Sequence, residues 1–172
     1  MSVDFSQRWA WAEVDIGAVR HNVAHVASIV APAQVWAVVK ANAYGHGSVQ
    51  VAQAALEAGA TGLCVAVVDE GVVLRRAGIM APVLVMSEQP ADTAPFLVGY
   101  GLTPTVTTTM GAAAIASAAQ ATGREVPVHL KVDTGMHRVG AQPAEMLSLA
   151  RYVAGHPSLS VEAVYKIGRA HV

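Results

Sequence analysis

Residues 35–86 read VWAVVKANAYGHGSVQVAQAALEAGATGLCVAVVDEGVVLRRAGIMAPVLVM. Three short valine-rich runs, Val35–Lys40, Gly62–Ala66 and Val83–Met86, are separated by stretches in which apolar residues recur at helical spacing. Half-buried or buried strands favour β-branched residues, and amphipathic helices repeat their apolar positions every three to four, so the segment reads as strand, helix, strand, helix, strand. The helices are expected over Ser48–Ala58 and Asp69–Ala77, with Asp69 as an N-cap and with Gly59 and Gly78 where the helices stop. Outward from this segment the alternation continues. Strands are expected at Thr103–Val106, Val126–Asp133 and Val161–Tyr165, and helices at Ala91–Gly99, Thr109–Ala121 and Pro143–Ala154. Thr109 is placed as a cap and Gly123 as a stop. An extended stretch, Arg8–Val14, and a helix over Ile16–Ile29 capped by Asp15 precede the first strand.

Consecutive βα units are right-handed and build either an open doubly wound sheet or a closed barrel. No glycine-rich dinucleotide fingerprint follows the first strand, which favours the barrel. A complete barrel takes eight strands and about 250 residues. The expected fold class is therefore α/β, a partial (β/α)8 TIM-type barrel with about six of eight strands.

Composition narrows the partners. Of 172 residues, 53% are hydrophobic and 13% charged, and 11 Lys+Arg against 12 Asp+Glu leave a formal charge of -1. Such a chain has no field to gather nucleic acid or anionic lipid, so neither is an expected partner, and a small molecule is. Aromatic residues are only 5%, which leaves Val, Ala, Leu and Ile to build the core. The single cysteine, Cys64, excludes an intrachain disulfide, reads as a packing residue and fits a cytoplasmic location. The first residues, MSVDFSQRW, lack the apolar core of a secretory signal, and no later run is apolar and long enough to span a bilayer. His21, His25 and His46 show no metal-ligand spacing, so no metal is expected.

Two constellations carry chemistry. Strand alternation puts Lys40 on the face of Trp36 and Val38, at the carboxyl end of the first strand, where barrel active sites lie. Burial disfavours an ammonium, and a lysine that sheds its proton can form a Schiff base and exchange protons. The loop that follows bends at Gly45 and Gly47 and frees the hydroxyl of Tyr44 to bond a phosphate. On the fifth strand Val128, Leu130 and Val132 alternate with His129, Lys131 and Asp133, so one face is polar. That face is either a site or the solvated side of an edge strand. Glu70, Arg75 and Arg76 read as a solvated helix face, and Leu84 and Met86 as core residues that could also flank a cofactor ring.

The run AVVKANAYGHG, Ala37–Gly47, resembles the pyridoxal-phosphate attachment signature of alanine racemase at nearly every position. The run LKVDTGMHRVG, Leu130–Gly140, resembles a second pattern of that family, and WAEVDIGAVRHN and VVDEGVVLRRAG resemble its opening and its second βα unit. By resemblance, Lys40 is the Schiff-base lysine and the D-alanine-specific base, Tyr44 bonds the cofactor phosphate, and Lys131 is a carbamylated lysine. Arg138 by the same resemblance lies beside the cofactor phenolate and the substrate carboxylate. A carbamate on Lys131 would turn its repulsion of Arg138 into a charge-assisted bond. The implied cofactor is pyridoxal 5'-phosphate and the implied reaction interconverts L-alanine and D-alanine, supplying D-alanine for peptidoglycan.

The resemblance runs from about Arg8 to Tyr165. Beyond it, Lys166–Val172 reads KIGRAHV where the family continues with Thr-His, and that tail resembles translated sequencing adapter. Residues 1–165 are thus expected to be the N-terminal barrel portion, and residues 166–172 an artefactual tail. The family's C-terminal β domain and its opposite base, a tyrosine offered across a homodimer interface, are expected only in a full-length parent, which leaves this chain inactive by itself. Two other functions stay open on the sequence. One is a non-enzymatic pyridoxal-phosphate carrier, a barrel that lacks the extended AYGHG loop and the DTGMxR segment, and the other is a racemase for another small amino acid.

Overall fold

The computed structural model describes residues 12–168. It opens with α1 (Ile16–Val30), whose N-cap Asp15 accepts a hydrogen bond from the Ala18 amide at 3.0 Å, and α1 packs on the helix of the first βα unit. Six strands follow: β1 (Trp36–Val38), β2 (Gly62–Val65), β3 (Val83–Val85), β4 (Thr103–Val106), β5 (Val126–Lys131) and β6 (Leu159–Tyr165). Between them run α2 (Lys40–Tyr44) and α3 (Ser48–Glu57), α4 (Val68–Arg76), a 3-10 turn (Ala91–Thr93) leading into α5 (Ala94–Gly99), α6 (Thr109–Thr122) and α7 (Met146–Ala154). All neighbouring strands are parallel, and they lie side by side in chain order β1-β2-β3-β4-β5-β6. A doubly wound sheet reverses its order at a switch point, whereas this one never does, so the strands form an arc of barrel wall.

Strand alternation sorts the wall into two faces. Leu63, Val65, Val83, Val85, Val106, Val128 and Leu130 are fully buried and meet Ala52, Leu74, Leu97, Ala112, Ala116, Leu149 and Val153 from the helices. Small alanines let the helices sit close to the sheet, and each buried Val or Leu contributes roughly 1.5–3 kcal/mol by leaving water. The opposite face points to the barrel interior: Trp36 and Val38 pair in register with Gly62 and Cys64, Cys64 with Leu84, Thr105 with His129, and Lys131 with Tyr165. The core thus lies between sheet and helices, and the interior face is left to the site.

Several boundaries differ from the sequence reading. Strand β1 stops at Val38, and Lys40 opens α2 instead of closing a strand. The second βα helix starts at Val68, so Asp69 lies in its first turn and does not cap it; the Glu70 carboxylate reaches back to the Ala66 and Val67 amides in that role. Thr108, not Thr109, caps α6 through a bond from the Gly111 amide. Gly59, Gly78 and Gly123 do stand at helix ends, each with positive φ. The expected extended stretch over 8–14 falls mostly outside the described residues. No helix among the described residues is long and apolar enough to cross a membrane.

Candidate active site

The site grows from the end of β1. Val39 is buried against the helix layer, so Lys40 turns to the interior side. The chain then makes an unusual bend: Ala41, Asn42 and Ala43 adopt φ of 49, 54 and 52°, and Tyr44 follows with φ of 55°. Four successive non-glycine residues therefore form a left-handed turn, a conformation that costs roughly 1–2 kcal/mol per residue. Local bonds offset that strain. The Ala43 amide bonds the Val39 carbonyl at 2.9 Å, the Gly45 amide those of Ala41 and Asn42 at 3.1 Å, and the Gly47 amide that of Asn42 at 2.9 Å. Asn42 Oδ1 accepts from the Ser48 amide at 2.8 Å, which ties the turn to the start of α3. The outcome is that Tyr44 and Lys40 face one cavity, with Lys40 Nζ 6.0 Å from the Tyr44 ring centroid.

That cavity, of about 320 Å³, lies at the carboxyl ends of β1, β2, β3 and β6 and is lined by Val38, Lys40, Tyr44, Ala66, Met86, Ser87, Lys131, Arg138, Val139, Tyr165, Lys166 and Ile167. All four residues singled out in the two sequence patterns, Lys40, Tyr44, Lys131 and Arg138, line it. Of the two β3 residues, Met86 borders the cavity, while Leu84 is buried below it. Within residues 1–165 the lining holds Lys40, Lys131 and Arg138 and no carboxylate, so its field favours an anionic ligand.

The polar face of β5 is interior, not solvated. Strand β5 is flanked by β4 and β6, and His129, Lys131 and Asp133 are all buried. His129 Nε2 lies 2.8 Å from Glu162 Oε2, and its ring packs near Trp36 and edge-on to Tyr165, forming a floor under the cavity. Lys131 Nζ donates to the Met86 carbonyl at 3.1 Å and lies 5.4 Å from the Tyr165 ring centroid. Burial, then the charges of Arg138 and Lys40, hold its ammonium below the ordinary lysine range. Tyr165, which the sequence reading placed at the end of the sixth strand without a role in the site, lies within hydrogen-bond reach of Thr105 Oγ1 at 2.8 Å and donates to the Met86 carbonyl at 3.0 Å. Burial pushes its phenol up to about 12. Asp133 Oδ1 accepts from the Gly135 and His137 amides at 2.8 and 3.1 Å, closing the loop that carries Arg138, and those amides hold its carboxyl below the usual range.

Acidic side chains tie the rim together, which corrects the reading of a solvated face on α4. Glu70 Oε1 accepts from the Ala41 amide at 2.7 Å while Oε2 accepts from those of Ala66 and Val67 at 2.7 and 3.3 Å. Arg75 donates to the carbonyls of Ile79, Ala81, Tyr100 and Gly101; only Arg76 is exposed. Glu88 accepts from the amides and hydroxyls of Thr107 and Thr108. A glutamate in the first turn of α4, just past β2, was the available sequence signal for Glu70; nothing in the sequence pointed to Glu88.

Comparison with known proteins gives the family and the fold. Residues 14–169 match the family described as alanine racemase, N-terminal domain. The chain is 40% identical over 159 residues to an alanine racemase of Desulfovibrio desulfuricans, covering 92% of this chain and 43% of that protein. To one of Symbiobacterium thermophilum it is 46% identical over 158 residues, covering 92% and 42%. Among solved structures, the alanine racemase from E. faecalis superposes with a TM-score of 0.81 at 38% identity over 89% of this chain and 42% of that one. The alanine racemase from Streptomyces lavendulae gives 0.82 at 34% identity, covering 89% and 41%. The chain spans about two-fifths of the length of these relatives. With the barrel wall, the lysine just past the end of β1 and a match along most of its length, the chain belongs to the family of the alanine racemase N-terminal domain.

Proposed function

We propose that this chain is the N-terminal, cofactor-holding portion of an alanine racemase that interconverts L-alanine and D-alanine with pyridoxal 5'-phosphate. The observation that carries the reading is the convergence of Lys40, Lys131, Arg138 and the Tyr44 phenol on one strand-end cavity without a carboxylate. The donor set fits the cofactor. Lys40 offers a primary amine to its aldehyde, Tyr44 a hydroxyl to its phosphate, and Val38, Ala66 and Met86 an apolar flank for its ring. When bound, pyridoxal phosphate withdraws electrons from Cα of an attached amino acid and so makes its hydrogen acidic. Lys40 Nζ then takes or returns that proton on one face, and the Arg138 guanidinium orients the substrate carboxylate.

Lys131 is suited to carry a carbamate, because its depressed ammonium releases the neutral amine that reacts with carbon dioxide, with loss of one proton. The resulting anion would pair with Arg138. Racemisation also needs a base on the opposite face. Tyr165 shares the cavity, but its phenol is pushed up to about 12 and stays protonated at neutral pH. By the family resemblance the opposite base is a tyrosine supplied from outside this chain in a homodimeric longer protein, and in this reading the 172 residues do not racemise alanine by themselves. In the same reading residues 166–172 are foreign to the natural sequence; resequencing that finds Thr-His after Tyr165 supports this, and a native stop after Val172 refutes it.

Borohydride reduction of the chain with pyridoxal phosphate, followed by peptide mapping, tests the assignment. Label should fall on Lys40; label confined to Lys131 or another lysine overturns it. Deuterium wash-in at Cα of L-alanine should give no more D-alanine than free cofactor does.

A further inference from the structure

We infer that Glu70 is a positioning residue for Lys40, acting through the left-handed turn. The inference deepens the reading above, since it concerns the same lysine. The Lys40 carbonyl and the Ala41 amide form one rigid peptide plane. Fixing the Ala41 amide therefore fixes the direction in which the backbone delivers Lys40 to the cavity and the angle at which the turn toward Tyr44 begins. Ala41 N donates to Glu70 Oε1 at 2.7 Å, and Glu70 belongs to the next βα unit, 29 residues along. Its other oxygen is already anchored on the Ala66 amide at 2.7 Å, and Ala66 itself lines the cavity. One carboxylate thus ties the end of β1 to the end of β2 across the wall of the site.

The other bonds of the turn, from Ala43, Gly45, His46, Gly47 and Ser48, all come from residues 39–48. They hold the turn's shape and leave its attitude on the barrel to other contacts. Ala43 packs into the core, the Val39 amide continues the ladder to the Cys64 carbonyl at 2.9 Å before the turn begins, and beyond Lys40 the Glu70 carboxylate supplies the polar tether from the neighbouring unit. An ionised acceptor suits this role, because its bonds are short and its two oxygens serve two loops at once. Glutamine at this position offers one oxygen and a donor, so it satisfies only one of the two loops.

The test compares the 172-residue chain with its Glu70→Ala and Glu70→Gln variants and with Asp15→Ala, a helix-cap loss on α1 whose bond from the Ala18 amide lies outside the cavity lining. For each, the melting temperature, the hydrogen exchange of the Ala41 amide and the yield of borohydride-trapped pyridoxal phosphate on Lys40 are measured. We expect Glu70→Ala to speed exchange at Ala41 and to lower Lys40 trapping by about ten- to a hundredfold, the size of a lost bond to a charged group. Glu70→Gln should restore part of both, and Asp15→Ala should change neither despite its own loss of stability. The inference is overturned if Ala41 exchange is unchanged in Glu70→Ala, or if trapping follows melting temperature alike in Asp15→Ala and Glu70→Ala. Trapping on a lysine other than Lys40 in the unmodified chain sinks the functional reading instead, and the exchange result then decides the role of Glu70 alone.

Discussion

Lys131 concentrates the electrostatic tension of the site. Its ammonium is buried, donates one bond to the Met86 carbonyl, and shares the cavity with Lys40 and Arg138. A lysine depressed in the folded state binds fewer protons there than when unfolded, so its contribution makes stability climb as pH rises from its folded value toward the ordinary 10.5. Two consequences can be measured on the carbamate-free chain. Arg138→Gln should move the Lys131 titration upward, and more than Lys40→Gln does, as read by NMR of the side-chain amine. Lys131→Met should stabilise the fold at neutral pH by on the order of 1 kcal/mol, read as a higher melting temperature, because an apolar side chain of similar length needs no counter-charge. Cys64 shows the opposite kind of burial, with no partner role. Its thiol is raised to about 11 by desolvation, so about one molecule in a thousand carries thiolate at pH 8. Native protein should react with a disulfide reagent far more slowly than urea-unfolded protein; equal rates would show that the interior is open.

Among the elements, the pairing of β1 and β2 sets the floor of the cavity. Trp36 lies opposite Gly62, and a Cβ built on Gly62 would meet the indole at 2.5 Å. The glycine is required by that close approach, since the indole fills the space a side chain would need. Gly62→Ala should therefore destabilise by about 1–3 kcal/mol and shift the Trp36 fluorescence. Gly99 ends α5 with nothing within 4 Å of a built Cβ. There the same substitution should stabilise by about 0.4–1 kcal/mol through the unfolded chain. Thermal denaturation of the two variants side by side checks both signs. The rim carboxylates work between elements too: Glu88, from the loop after β3, gathers the amides that lead β4 into α6.

For the whole molecule, pH acts through the loop after β5. The Gly135 and His137 amides hold the Asp133 carboxylate below its ordinary 3.8. Its contribution is accordingly complete above that value and is lost as pH falls through the lower folded value. The same loop carries Arg138 and returns through the Asp133 amide to the Ala141 carbonyl and the Ala141 amide to the Lys131 carbonyl, both at 2.8 Å. Asp133→Asn should flatten the acid limb of a stability-against-pH curve and release the segment that bears Arg138. An acid limb identical in variant and parent would place the linkage in other carboxyl groups.

The sequence by itself determined what depends on neighbours along the chain. The period of Val-rich runs and amphipathic stretches set the order of βα units, the glycines at 59, 78 and 123 set helix ends, and the run at 37–47 put a lysine beside the end of the first strand, where the structure has it open α2. These are short-range properties of propensity, period and turn geometry. Only the tertiary structure decided which face of β5 is wet. Alternation separates His129, Lys131 and Asp133 from Val128 and Leu130, but the helix layer that covers Val128 and Leu130 is what leaves the polar set on the interior face, and the strands on both sides keep β5 from being an edge. The partners of the charged residues were likewise illegible: Glu70 meets Ala41 across 29 residues, Lys131 meets Met86 across 45, and Tyr165 meets Met86 across 79. Local pattern carries no information about such pairs, because they form only when separate strands are laid side by side and a charged or phenolic group, leaving water, takes the carbonyl or amide that the fold has brought within reach.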